Sequence, residues 1–278
     1  MDLALICPIA HLEYTKLLPG RFCIAPIALK NEGYLQYFRG ATQQGYKVIL
    51  DNGVFEDDLT EDDDYIQLNL ELEPTVLVIP DTIMGNANMN WTVAKRFIDK
   101  IRPVDPEVEL MFVPQCEAED TDGFWNGIRL ATAHEEIQWI GICRDAVYNA
   151  FGHWTRTRDQ ELNRFYFSVM LQRHFAVEEI LKIKWHFLGM GERIDLLPFF
   201  WFVSSMDTAS LFYQATQNNI ITDEFIMPAK LKRPKDYFIH NYNPPGRWTD
   251  NLEENCSLAL EKAQEADAVR HGLLGSRL

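Results

Sequence analysis

The chain has 278 residues, 47% hydrophobic and 12% aromatic, enough for a large buried core and typical in length of one α/β barrel. It contains no apolar run of about 18 residues or more, so no membrane-spanning segment is expected. The net charge of −15 weighs against a nucleic-acid partner, since phosphate binding is driven by Lys and Arg, although seven acidic side chains crowd into residues 56–64 alone.

The N-terminal MDLALICPIAHLEY has no basic region before its apolar stretch and no small-residue cleavage site, and reads as a strand rather than a signal peptide. Apolar strand candidates follow near 3–9, 22–28, 47–52, 75–80, 108–114, 137–143, 184–189, 199–205 and 220–226. Helical patterns lie between them at 31–44, 60–72, 86–101, 120–135, 159–182 and 208–218. In the second of these helices Thr60 is the expected cap, and the acidic first turn Glu61 to Asp64 complements the helix dipole. NYNPPGRW at 241–248 is a turn-rich break, after which 250–272 reads as a C-terminal helix. Strands alternating with helices imply parallel βαβ units, and about eight of them favour a single-domain α/β fold, a TIM-type (β/α)8 barrel over residues 1–278. Five scattered cysteines with no C-x-x-C pair point to reduced thiols in a cytoplasmic compartment, without a four-ligand zinc site.

Three of the apolar runs end on an aspartate: KVILDNG at Asp51, TVLVIPD at Asp81 and FFWFVSSMD at Asp207. A fourth, VELMFVPQ, ends on Gln115. The C-terminal strand ends are where a parallel barrel carries its chemistry, so these side chains are the candidate site. Each alone has a plainer explanation. Asp81 and Asp207 would serve as helix N-caps, Asp51 as a turn residue, and Gln115 as a solvent-facing amide. Phe55 is placed to stack on a planar ligand, and Gly141, Gly189 and Gly191 would let such a ligand approach the backbone. His186 reads as a core histidine. Two basic clusters, His153, Trp154, Arg156, Arg158 and Arg164, then Lys230, Lys232, Arg233 and Lys235, would form a phosphate-binding rim. No P-loop, Rossmann glycine pattern, G-x-S-x-G elbow or H-E-x-x-H is present.

In order, LDNGVFE, VIPD, FVPQ, WIGIC, HFLGMG and SSMD resemble the motifs of the tRNA-guanine transglycosylase superfamily over roughly residues 45–210. The resemblance implies Asp207 as nucleophile, Asp51 as general acid/base, Asp81 and Gln115 as readers of the base edge, Gly141 and Gly189 as backbone contacts, and Phe55 and Leu188 as a sandwich for the ring. It departs from the family at Asn52 and Gly53, at Glu56, at the Cys116-Glu117 pair after Gln115, and in lacking the tRNA enzymes' zinc cluster after Asp207. A zinc-less chain is most similar to the DNA-modifying transglycosylases (DpdA type) of phages and bacteria. These imply DNA and a free 7-deazaguanine such as preQ0 as partners, no cofactor, and a host cytoplasm if the protein is phage-encoded. The alternatives are a tRNA-acting enzyme, a barrel N-glycoside hydrolase and a catalytically silent binding subunit.

Overall fold

A computed structural model describes residues 1–54, 60–82, 85–156, 159–191, 193–222 and 234–275. The fold is a TIM-type (β/α)8 barrel. Its eight parallel strands are β1 (Asp2–Leu5), β2 (Arg21–Ile24), β3 (Val48–Asp51), β4 (Val76–Val78), β5 (Glu109–Phe112), β6 (Trp139–Cys143), β7 (Lys184–Leu188) and β8 (Val203–Thr208). They lie in one sheet in the order β1-β8-β7-β6-β5-β4-β3-β2. The chain divides into two compact units, Arg21–Phe187 and Met1–Gly20 with Leu188–Leu278.

In the unit Arg21–Phe187, strands β2 to β6 pair parallel and in sequence. All residues of β2, β4 and β6 are buried, as expected of strands covered on both faces. Between them run α1 (Ala25–Lys30), α2 (Glu32–Gln43), α3 (Asp62–Leu72), α4 (Ala87–Ile101), α5 (Thr121–Thr132), α6 (Arg144–Thr155), α7 (Gln160–His174) and α8 (Val177–Lys182). Local chemistry sets several helix starts. Asn31, Asn86, Asp120 and Asp159 each accept a first-turn N–H with their side chains. Helix α4 buries Ala87, Asn90, Ala94, Phe97, Ile98 and Ile101, a stripe at three- and four-residue spacing.

At the N-terminal strand ends of this unit, charges are spent on structure. Glu109 pairs with Lys184 and accepts the Trp139 indole N–H at 2.6 Å, while Lys47 and Lys184 lie over the Trp139 ring. Burial pushes Glu109 up, but those two hydrogen bonds and the Lys184 and Lys47 charges outweigh it and hold the carboxyl below its ordinary value. His186 is a core residue stacked on Phe22.

In the other unit, β1 pairs with β8 in the register Ala4 to Asp207. A 3₁₀ segment Ile9–Leu17, another at Ile194–Phe199, α9 (Ser210–Thr216) and α10 (Trp248–Gly275) complete it. Helix α10 buries Trp248, Leu252, Asn255, Cys256, Ala259, Ala263 and Ala266 against α9 and the second 3₁₀ segment. Asn255 anchors it: its side-chain oxygen accepts the Ile221 N–H at 2.7 Å, and its amide donates to the Leu211 and Asn219 carbonyls.

Several sequence expectations are corrected. Residues 25–28 open helix α1 instead of extending β2, because Pro26 suits a first helical turn. Helix α6 was not expected, and the pattern over 159–182 is two helices broken at Phe175 and Ala176, both extended. The eighth strand starts at Val203, since 3₁₀ geometry runs through Phe199. Residues 220–222 are not strand, and 223–226 lie outside the described residues. The cap of α3 is Glu61, not Thr60, and it makes no side-chain bond; the acidic turn Asp62 to Asp64 is present, with Asp62 paired to Arg96 and Lys100 of α4. Among the described residues no helix is long and apolar enough to cross a membrane.

Candidate functional site

Within Arg21–Phe187 the site is assembled at the C-terminal ends of β3, β4 and β5. Asp51 is the last residue of β3, and two turns follow in succession. The Gly53 N–H donates to Asp51 Oδ2 at 3.0 Å, and the Val54 N–H donates to Asn52 Oδ1 at 3.0 Å. Gly53 has φ +73°, and a Cβ there would sit 2.3 Å from Pro26 Cδ, so only glycine closes this turn.

The turn aims Asn52 inward. Its Nδ2 donates to Asp81 Oδ1 at 2.8 Å and to the Ile79 carbonyl at 3.3 Å. From the end of β5, Gln115 Nε2 donates to Asp81 Oδ2 at 2.6 Å. Asp81 is thus held at both oxygens by amides from its two neighbouring strands. Gln115 is 1% exposed, and its Oε1 is buried without a hydrogen-bond partner. A bare buried acceptor is costly, on the order of 1–3 kcal/mol, so it marks a place for a ligand donor.

Two further residues brace the group. Fully buried Asn90, in the first turn of α4, accepts the Thr82 N–H at 3.1 Å and donates to the Val113 carbonyl at 2.8 Å. It ties the segment carrying Asp81 to the segment carrying Gln115. The Tyr65 hydroxyl, from α3, lies 2.9 Å from the carbonyls of Leu50 and Val78 and shares its proton between them.

The field here is acidic. Burial raises the Asp81 carboxyl above the ordinary carboxylate value, with the Asn52 and Gln115 hydrogen bonds working against it. Burial first, then Asp51, Cys23 and Asp81, push the Tyr65 phenol well above its ordinary value. The Cys23 thiol is pushed up by burial and by Asp51. The Cys143 thiol rises to about 11 through burial, with Asp81 adding to it. Chemically this is an array of acceptors, suited to a ligand edge rich in N–H groups, around a carboxyl that takes up a proton more readily than usual.

In the unit containing β8, Asp207 is the fifth residue of that strand and 4% exposed. Its Oδ1 accepts the Gly189 N–H at 2.8 Å, and its carbonyl accepts the Met190 N–H at 2.6 Å. Gly189 follows the end of β7 with φ +73°, the conformation that turns its N–H toward the carboxylate. Leu188, the last residue of β7, is half-buried beside it.

These placements set aside the plainer explanations for Asp81, Asp207 and Gln115, whereas Asp51 does serve its turn by accepting the Gly53 N–H. Asp81 is no cap, since α4 begins at Ala87 under Asn86, and Asp207 lies inside its strand while Ala209 precedes α9. Gln115 is buried, not solvent-facing. Gly141 is not at a strand end; it is the buried third residue of β6. Of the expected basic rim, only part lies among the described residues. Arg164 is buried against Glu161 and the Ile142 carbonyl, and Arg156 is an exposed residue with φ 53° that closes α6, well beyond the end of β6. Trp154 is 63% exposed beside it. Phe55, Arg158, Lys230, Lys232 and Arg233 lie outside the described residues.

Sequence reasoning missed Asn52, Asn90 and Tyr65 as parts of the site. Asn52 stood out in the sequence only as a departure from the family pattern, and nothing in the sequence around Asn90 marks it as buried. Among the described residues no group of three or more His, Cys, Asp or Glu side chains is arranged to hold a metal ion. Compared with models of known families and with curated proteins, the chain matches none.

Proposed function

We propose that the protein is a pentosyltransferase of the guanine transglycosylase type, exchanging guanine in DNA for a 7-deazaguanine such as preQ0. The observation that carries this reading is the Asn52–Asp81–Gln115 group, a carboxylate clasped by two amides with one buried acceptor left over, next to Asp51. Such an edge complements the N–H groups of a guanine-like lactam.

In this reading the target nucleotide is extruded from its stack, at a cost of a few kcal/mol. A carboxylate oxygen of Asp207 attacks C1′, the bond from C1′ to the base breaks, and Asp51 supplies the proton taken up by the departing guanine. The result is an ester between Asp207 and the sugar. The incoming 7-deazaguanine gives a proton to Asp51 and displaces Asp207, so the sugar configuration is retained after two inversions. Asp81 and Gln115 hold the base, while the Gly189 N–H orients the nucleophile. No cofactor enters these steps.

The test is exchange of labelled guanine into duplex DNA, single-stranded DNA and tRNA, side by side. Incorporation into DNA that falls at least about a thousandfold in Asp207→Asn supports the reading. Normal exchange in that variant overturns it, and incorporation only into tRNA moves the substrate to RNA. Release of free base without exchange would instead identify a hydrolase.

A further inference from the structure

The hydrogen-bond pattern around Asp81 has a logic beyond simple recognition. The oxygen and nitrogen of a side-chain amide are told apart by their partners. For Asn52 the assignment is forced. Its Oδ1 faces the Val54 N–H, a donor, and its Nδ2 faces the Ile79 carbonyl, an acceptor, so turning the amide over would break both bonds. Asn52 therefore always presents N–H to Asp81 Oδ1, and that oxygen always accepts. Any proton on Asp81 has to sit on Oδ2, the oxygen facing Gln115.

Gln115 is under no such constraint. Its only hydrogen bond among the described residues is the one to Asp81, and its Oε1 has no partner. With Asp81 ionised, Gln115 must donate to it and turn its carbonyl away. With Asp81 protonated, the Oδ2–H needs an acceptor, and only the Gln115 carbonyl can supply one at that contact. The amide then turns over and points its NH₂ where the carbonyl stood. We propose that Asn52, Asp81 and Gln115 form a proton-coupled selector, in which Asn52 is the positioning residue and Gln115 offers a bound ligand an acceptor or a donor according to the protonation of Asp81.

The titratable groups that interact with Asp81 are Tyr65 from α3 and Cys143 from β6, in addition to the two amides, and Asp51 at the end of β3 acts on the same Tyr65 phenol. The phenol and thiol are pushed upward and so stay neutral where carboxylates titrate. Burial of Asp81 moves the transition upward from the ordinary aspartate value, with the two amide hydrogen bonds working against it.

The selector rests on the proposed function only for its probe, guanine, whose N1–H and N2–H edge calls for acceptors. The direct test needs no ligand. Side-chain amide resonances of the ¹⁵N-labelled full chain would be followed from about pH 4 to about pH 8, with Gln115 assigned by its loss in Gln115→Met. The Gln115 NH₂ pair is expected to move through one transition shared with the Asp81 carboxyl carbon, while the Asn52 pair keeps its hydrogen-bonded position. In Asp81→Asn, whose own amide donates to the Gln115 carbonyl, Gln115 should sit at its low-pH position at every pH. A pH-invariant Gln115, or a high-pH position in Asp81→Asn, would overturn the selector. In a parallel titration, guanine should bind about tenfold tighter above the transition than below it, and this dependence should vanish in Asp81→Asn. Guanine bound at no pH, with the amide transition intact, supports the selector and sinks the base-binding reading instead.

Discussion

Replacing Asn90 by alanine tests whether the site is braced as described. The side chain is fully buried, and both of its ends are used: it accepts from the Thr82 N–H and donates to the Val113 carbonyl. Thr82 is half-exposed, so its N–H regains water and the loss there is about 1 kcal/mol. Val113 is 2% exposed, and its carbonyl is left without a partner, which costs about 2 kcal/mol more. The sum, about 3 kcal/mol, raises the unfolded fraction roughly a hundredfold. Urea unfolding followed by tryptophan fluorescence should show it as a lower midpoint at unchanged slope. Asn90→Asp separates hydrogen bonding from size. It is isosteric and keeps the acceptor for Thr82, but it cannot donate to Val113 and sets a carboxylate against that carbonyl, so it should be no more stable than the alanine variant. A loss below about 0.5 kcal/mol in Asn90→Ala, or parental stability in Asn90→Asp, would refute the reasoning.

Two further predictions follow from ionisation. Because the folded-state value of Asp81 lies above the unfolded one, its contribution to stability is fully present below the ordinary carboxylate value and is lost as pH rises through the folded value. Asp81→Asn should therefore gain stability relative to the parent as pH rises from about 4 toward neutrality, and a relative loss over that window in thermal melts would contradict the assignment. All five cysteines are free and buried, and burial drives Cys116 and Cys256 to about 12 and Cys143 to about 11. At about pH 8 the native protein should release well under one thiol equivalent to a disulfide reagent, and all five after unfolding in urea; fast modification of the native form would show that one of these sites is open.

The legible part of the fold was the part fixed by apolar patterning. VILD, VLV, ELMF and WIGIC are short apolar runs bounded by turn chemistry, and all four became strands within a residue or two of expectation at most ends. Legibility failed where two local preferences competed. APIALK is apolar enough for a strand, but Pro26 and the alanines favour a helical turn, while RDAVYNAFGHWT has a weaker stripe than α4 and α5 and so does not stand out as a helix. Arg164 shows the same limit for charge. Beside Arg156 and Arg158 it looks like part of a basic surface, yet helix α7 turns it inward onto Glu161 and the Ile142 carbonyl, over the Phe187 ring.

By itself the sequence determined that the chain alternates strands with helices, and that Asp51, Asp81 and Gln115 stand at or just beyond strand ends, because strand patterning is a short-range property of apolar periodicity. Only the tertiary structure decided what each side chain does there. Positions some thirty residues apart, Asn52 with Asp81 and Asp81 with Gln115, become hydrogen-bond partners because parallel pairing sets β3, β4 and β5 side by side. The direction of a polar side chain in a loop after a strand, inward like Gln115 or capping the next helix like Asn86, depends on which neighbour offers a partner. That neighbour is fixed by strand register and helix packing, which no local window of residues contains.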